Sequence, residues 1–250
     1  MSAQPMSAQP TSAQPVWGAA TDIGTRRASN EDSFVAEPPV FVVADGMGGH
    51  AAGEVASAAA VSALRRLVKA QDVREEDVRL RLEAARSLLQ ALPPTLGRSP
   101  GTTVTGVILT SRDGVPHWLM VNLGDSRTYR LQGDVLEQLS VDHSEVQELV
   151  DAGHISPAEA AHHARRHVVT RSLSAASSLA ADYLLVPVEQ GDRMLVCSDG
   201  LTGELDDAMI AGLLRSRPHP QDAAEALVAA AVAAGGRDNV TVVVVDAPQP

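Results

Sequence analysis

Strand patterns arrive in runs in this chain, and that ordering restricts the fold more than any single motif does. "VWGAATDIG", "DSFVAE" and "VFVVAD" follow one another between Val16 and Asp45 with no helical pattern between them. "TTVTGVILT", "HWLMVNLG" and "RTYRLQ" form a second run from Thr102 to Gln132, the first two joined by a turn around Arg112-Asp113-Gly114. Between the runs, apolar spacing predicts two consecutive helices. One covers about Ala52 to Lys69, with Ala58, Val61, Leu64 and Val68 on its apolar face. The other covers about Glu75 to Ala91, with Val78, Leu82, Ala85 and Leu89. "DYLLVPV", "DRMLVCSD" and "NVTVVVVD" return to the strand pattern, with a helix carrying Ala224, Leu227, Val228 and Ala231 before the last. Helices in pairs and strands in runs point to an antiparallel α+β sandwich rather than alternating βαβ units.

That order bears on the glycine-rich turn "ADGMGGHAAGE". Gly46-x-Gly48-x-x-Ala51 fits the dinucleotide fingerprint between a strand and a helix. A dinucleotide unit needs a parallel strand after its helix, ending in an acidic residue for the ribose. Here the helix leads into "QDVREED" and a second helix, and Asp45 would put a carboxylate beside the pyrophosphate. The turn therefore holds something that wants a carboxylate.

Asp45 has counterparts. Asp125 follows "MVNLG", Asp199 follows "MLVCS", and Asp238 lies in "GGRDN" before the last strand. One aspartate in a turn needs only local hydrogen bonding to explain it. Four at the ends of strongly apolar strands invite convergence at one sandwich edge. Two carboxylates 4 Å apart repel by roughly 4 kcal/mol at an effective dielectric near 20. A converged set must therefore be neutralised by cations or take up protons. An all-oxygen donor set suits Mg²⁺ or Mn²⁺ and not zinc. Two such ions about 3.5–4 Å apart with a bridging water make a hydrolytic centre.

Other chemistries are disfavoured. Lys and Arg number 20 against 31 Asp and Glu, a formal charge of −11, which repels nucleic acid and anionic lipid. The single cysteine, Cys197, excludes a disulfide framework and a cysteine zinc site. "CSDGLTGEL" lacks the arginine a cysteine phosphatase needs, so Cys197 is expected in the core. His143, His154, His162, His163 and His167 have no zinc spacing and fall in a surface excursion. They, with Arg165, Arg166 and Arg171, read as solvated loop residues. In that excursion Ser144-x-x-Gln147 and Ser156-Pro157-Ala158-Glu159 each read as a helix start. Residues 1–15, a thrice-repeated SAQP pentad, are expected to be a disordered tail. "LPPTLGRSPG" reads as a loop. Neither a signal peptide nor a membrane span is expected, and a cytoplasmic setting is.

Taken in order, "TRRASNEDSF", "VVADGMGGHAAGE", "GTTVTGVIL", "VNLGDSRTYRL", "VDHSEVQELVDAGHIS", "VVTRSL", "GDRMLVCSDGLT" and "GGRDNVTVVVVD" resemble the metal-dependent protein serine/threonine phosphatases of type 2C, in their compact bacterial form. The resemblance covers Val16 to Asp246. It implies a four-layer α-β-β-α sandwich over residues 16–247, two antiparallel sheets face to face, with a flap at about 141–180. It implies two Mn²⁺ or Mg²⁺ ions bridged by Asp45, with the Gly46 carbonyl on one and Asp199 and Asp238 on the other. Glu31 and Asp32 would act through waters in the outer shell. Asp125, sharing Asp199, resembles the ligand of a third, weaker ion. Arg27 matches the phosphate-binding arginine, and the adjacent Arg26 reads as solvated. A metal-bridging hydroxide would then attack phosphoserine or phosphothreonine on proteins. Met47 stands where some relatives have histidine, which leaves the leaving group's proton donor open, and His50 reads as a helix-start residue. Implied partners are a bacterial serine/threonine kinase and its targets, with the chain a monomer. A narrow-specificity phosphatase of an anti-sigma-type pathway and an inactive binding module of the same fold are the alternatives.

Overall fold

The computed structural model describes residues 14–48, 51–92, 100–176 and 179–248. Strands β1 (Val16–Asp22), β2 (Ser33–Glu37) and β3 (Val40–Ala44) lead through the two-residue β4 (Gly46–Met47) to helices α1 (Ala51–Leu64) and α2 (Glu75–Ala91). Strands β5 (Gly101–Thr102), β6 (Val104–Arg112), β7 (Val115–Leu123), β8 (Arg127–Gln132) and β9 (Val135–Gln138) follow. Short helices α3 (Glu145–Asp151) and α4 (Pro157–Ala160) precede β10 (Leu173–Ser174), β11 (Asp182–Pro187) and β12 (Arg193–Cys197). Helices α5 (Asp199–Thr202), α6 (Asp207–Ser216) and α7 (Pro220–Ala234) come before β13 (Val240–Asp246). The expected tail falls almost wholly outside the described residues, as do His50 and most of the "LPPTLGRSPG" loop.

Two five-stranded sheets, β1-β13-β12-β8-β9 and β11-β7-β6-β3-β2, form the centre, and a small sheet β10-β5-β4 lies beside them. Neighbouring strands run antiparallel throughout. The dinucleotide alternative ends here, because α1 is followed by α2 and β3 pairs antiparallel with β2 and β6.

The valine run of β13 shows how the layers arise. Side chains alternate across a strand. Val243 and Val245 meet Phe41, Val43, Val107, Trp118, Met194 and Val196 between the two sheets. Val240, Val242 and Val244 point the other way, against Leu201, Ile210, Leu214, Leu227 and Val228. A strand covered on both faces has no position for a charge, so it reads as continuous valine. On the second sheet's outer face, Val42, Ala44, Ile108 and Val121 pack against Leu64, Val78, Leu82 and Leu89 of the α1–α2 pair. The order is α-β-β-α, as the resemblance implies.

Helix α2 spans the expected residues and buries the four expected ones. Acidic Glu75, Glu76 and Asp77 complement its N-terminal dipole, and Asp77 accepts from the Arg74 N–H at 2.9 Å. Truncating Leu82 there to Ala would cost roughly 2–5 kcal/mol. Helix α1 departs from expectation. It ends at Leu64 and tightens into a 3₁₀ turn, Arg65–Leu67, and Ala58 is exposed while Ala56 and Ala60 are buried. An alanine-rich helix has little contrast between its faces, so its apolar stripe is poorly marked. The "TTVTGVILT" run also divides, because Thr103 turns out of the ladder to bind Asp45. Ser144 and Ser156 cap α3 and α4 as expected, the latter with Pro157 in the first turn. Among the described residues, no helix is long and apolar enough to cross a membrane.

Candidate metal and phosphate site

One end of the sandwich gathers the strand-end aspartates. Asp45 leaves β3 and is pinned by its backbone: Thr103 N donates to its carbonyl at 2.9 Å, and Thr103 Oγ1 accepts from its N–H at 3.0 Å. Gly46, next in the chain, lies so close to the Gly53 and Glu31 carbonyls that any Cβ would collide with backbone, and a Cβ on Gly53 would strike the Glu31 carboxylate. These glycines let the strand end, the start of α1 and the Glu31 loop meet. Asp125 follows Gly124 at the end of β7, and Asp199 opens α5 after β12. Asp238 precedes β13, where Asn239 ties the segment down. Asn239 Oδ1 accepts from Glu31 N at 2.9 Å, and its Nδ2 donates to the carbonyls of Ile23 and Ser29.

These side chains share one cavity of about 600 Å³. Arg27, Glu31, Asp45, Gly46, Asp125, Asp199 and Asp238 all line it. Asp32 lies behind its wall, accepting from Ser198 Oγ at 2.8 Å through one carboxylate oxygen. Its other oxygen, Oδ1, is buried with no partner. The Arg27 guanidinium faces Asp238 at 2.6 Å, and His167 Nδ1 lies 3.7 Å from the Asp199 carboxylate. Arg26 is exposed, as expected.

The carboxylates sense one another. Burial pushes Asp45 well above the usual carboxylate range, and the charges of Asp32, Asp199, Asp125 and Asp238 push it further. Burial also raises Asp125 to about 7, reinforced by Asp199 and Asp142 and opposed by Arg127. Asp32 rises to about 7 through burial and through Asp199 and Asp238, against the hydrogen bonds of Thr241 and Ser198. Among the described residues, no three His, Cys, Asp or Glu side chains are grouped to hold a metal ion as they stand. They line one cavity without converging on one point, since Asp238 turns to Arg27 and Asp199 faces His167. The donor chemistry nonetheless fits a hard divalent cation: oxygens only, mutually repelling, with a buried orphan oxygen on Asp32.

Several lining residues were not legible in the sequence. Arg166, His167 and Val169 reach the cavity from the 141–180 excursion, and Thr103, Glu204 and Arg237 complete the wall. The solvated-loop reading thus fails for Arg166, which is half-buried at the cavity, while His167 lines the cavity and stays exposed. It fails again for His143, which is 5% exposed. His154 and His162 are exposed, as expected. Arg237 is held by the Glu204 carboxylate through Nε at 2.9 Å and Nη2 at 3.0 Å. Its place beside Asp238 was the one available signal. For Arg166 and His167 the signal was their place in the 141–180 flap, just before the motif "VVTRSL". Cys197 is buried among apolar side chains and its thiol is pushed up to about 12 by burial.

This fold and site define a metal-dependent phosphatase, and the chain belongs to the protein phosphatase 2C family, whose sequence model matches residues 25–234. It is 34% identical over 244 residues to the serine/threonine phosphatase stp of Listeria innocua, covering 90% of this chain and 93% of that protein. It is 38% identical over 237 residues to the serine/threonine protein phosphatase PstP of Mycobacterium tuberculosis, covering 92% of this chain but only 44% of that longer protein. Among solved structures, the M. tuberculosis phosphatase PstP/Ppp superposes with a TM-score of 0.87 at 36% identity, over 94% of this chain and 99% of that one. The catalytic domain of PstP in complex with two manganese ions gives 0.82 at 36% identity, over 93% and 97%.

Proposed function

We propose that the cavity hydrolyses phosphoserine and phosphothreonine esters on proteins, with two divalent ions, and that Asp45, Asp199, Asp238 and the Gly46 carbonyl are their ligands. The observation that carries this reading is the meeting of Asp45, Asp125, Asp199 and Asp238 with Arg27 in one cavity, where burial and the neighbouring carboxylates raise the proton affinity of Asp45 and Asp125. Such a set has a use for divalent charge. Manganese in the related PstP catalytic domain supports the same choice here, with Mg²⁺ the other candidate. When bound, the ions neutralise the carboxylates and the incoming phosphate and acidify water.

The chain's own residues do the rest. Arg27 offers a planar pair of donors to the phosphate oxygens, exchanging the Asp238 carboxylate for the phosphate. Thr103 holds the Asp45 backbone in place. Glu31 lines the cavity and Asp32 lies behind its wall, where both would serve an outer shell, and Asp125 with Asp199 would hold a third ion. Met47 lines the cavity and has no proton to give, so the leaving alkoxide takes its proton from water or from another group of the cavity. The phosphoprotein partners are a serine/threonine kinase and its targets, met by the chain as a monomer in the cytoplasm.

The test is hydrolysis of phosphopeptides and p-nitrophenyl phosphate with Mn²⁺, repeated after EDTA. Turnover that needs the ion supports the reading; activity that survives thorough chelation overturns it.

A further inference from the structure

The excursion between residues 141 and 180 returns to the sandwich at the residue where it leaves, and a buried histidine joins the two feet. The His143 N–H donates to the Gly124 carbonyl at 2.9 Å, and its own carbonyl accepts from Thr170 N at 2.8 Å. One residue on, Ser144 bridges to Val169, and Glu145 N donates to the Val168 carbonyl at 2.9 Å. The His143 side chain is tied as firmly. Its Nδ1 lies 3.2 Å from Gly124 N and its Nε2 lies 2.9 Å from Asp182 Oδ2. Asp182 begins β11, the first long strand after the excursion.

These partners fix the tautomer. A backbone N–H can only donate, so Nδ1 accepts and carries no proton. The proton is then on Nε2, where it donates to the Asp182 carboxylate. Arg171 Nη1, 3.3 Å from Nε2, also only donates and cannot bond there; its partner is Asp182 Oδ1 at 3.4 Å. The neutral ring thus links the Gly124 turn to the start of β11, and the His143 backbone ties in the returning foot at Thr170.

Gly124 is the residue before Asp125. It adopts φ +120° and packs so tightly on Thr103 that a Cβ would overlap that side chain. Thr103 is the residue that pins Asp45, and its hydroxyl also pairs with Ser126 Oγ at 2.8 Å. A shift of the Gly124 turn would therefore reach both Asp125 and the support of Asp45. From the other side, the foot at Val168–Thr170 directly follows Arg166 and His167, which line the cavity.

We infer that His143 is a positioning residue for turnover: its neutral imidazole clamps the Gly124–Asp125 turn to Asp182 at the start of β11 while its backbone carbonyl holds the returning foot at Thr170, keeping the carboxylates and Arg166–His167 in one register. The kinetic part rests on the phosphatase reading above; the clamp itself does not. His143→Ala removes both side-chain bonds, whereas His143→Asn keeps an acceptor near the Nδ1 position. With the full chain, Mn²⁺ and p-nitrophenyl phosphate, the Ala variant should lose about tenfold or more in kcat, with KM within about twofold, because small displacements of catalytic groups are costly. The Asn variant should recover most of that loss. Hydrogen exchange read by mass spectrometry should quicken in the Ala variant for peptides spanning 122–126 and 166–171. A folded Ala variant with kcat within twofold of native, an Asn variant no better than Ala, or unchanged exchange at 122–126 would overturn the inference. If the Ala variant does not fold, the Asn variant decides alone: near-native kcat and exchange support the clamp, and a tenfold loss overturns it. A native chain inactive on every phosphoester would instead sink the phosphatase reading, with the exchange result still deciding the clamp.

Discussion

The Arg27 guanidinium donates to the Asp238 carboxylate at 2.6 Å, Nη2 to Oδ2, so the candidate phosphate binder and a candidate metal ligand are each other's partner. Both side chains are substantially exposed, 48% and 34%, which makes the pair a weak contributor to stability. Its importance is exchange: a cation on Asp238 and a phosphate on Arg27 replace one ion pair by two. Arg27→Ala should leave the melting temperature nearly unchanged and raise KM for a phosphopeptide about tenfold or more, with a smaller change in kcat. A pure kcat loss would place the contact in the transition state alone and contradict a binding role.

Asp45, Asp199 and Asp238 should each be indispensable. Replacing any one by Asn keeps its shape and removes its charge, and kcat with Mn²⁺ should fall by at least about 10²–10³-fold, the scale of losing one preorganised electrostatic group. Asp45→Asn should also raise the melting temperature in EDTA, because burial and four neighbouring carboxylates oppose the Asp45 charge. Near-native kcat in any of the three variants would break the assignment. A lower melting temperature for Asp45→Asn in EDTA would contradict the electrostatic account.

Stability should depend on pH with an unusual sign. Asp32 and Asp125 titrate at about 7 in the folded chain, and Asp45 is raised as well, whereas unfolded carboxylates titrate near 4. Between those values the folded state binds more protons, so stability falls as pH rises. The contribution is complete below about pH 4 and is lost by pH 7 to 8. In EDTA, the melting temperature should drop from pH 5 to pH 8. Mn²⁺ should restore it, more at pH 8 than at pH 5, by about 2.7 kcal/mol at a hundred times its dissociation constant. A melting temperature that climbs across this range in EDTA would refute the cluster.

Asp125→Ala should slow turnover while the protein still binds two ions by calorimetry. Loss of all binding would move Asp125 into the primary pair.

The Cys197 thiol should be inert. It is buried, titrates near 12, and contacts the Arg127 carbonyl at 3.7 Å. Iodoacetamide at pH 8 should leave activity intact; stoichiometric inactivation in the folded state would reopen thiol chemistry.

Much of the architecture was legible because periodicity is local. The face of α2 follows from spacing alone, and burial on both sides of β13 reads directly as a run of valine. Where contrast or length is missing, the reading fails. In alanine-rich α1, Val61 and Leu64 are buried as expected but Ala58 is not, and α5 and β9 are too short to be placed, whereas α6 carried a signal in its Asp206 N-cap and apolar face. The motif aspartates were visible because each lies at the end of a strongly apolar strand.

By itself the sequence determined the order of strands and helices, the layers they form, and the four aspartates at the ends of the strands. Only the tertiary structure decided that Arg166 and His167 join the cavity, that Arg27 faces Asp238, and that His143 is buried beneath Gly124. Those relations connect residues from 19 to 211 positions apart, and no local pattern encodes them. They exist because packing two sheets face to face brings strand ends from the whole chain to a common edge.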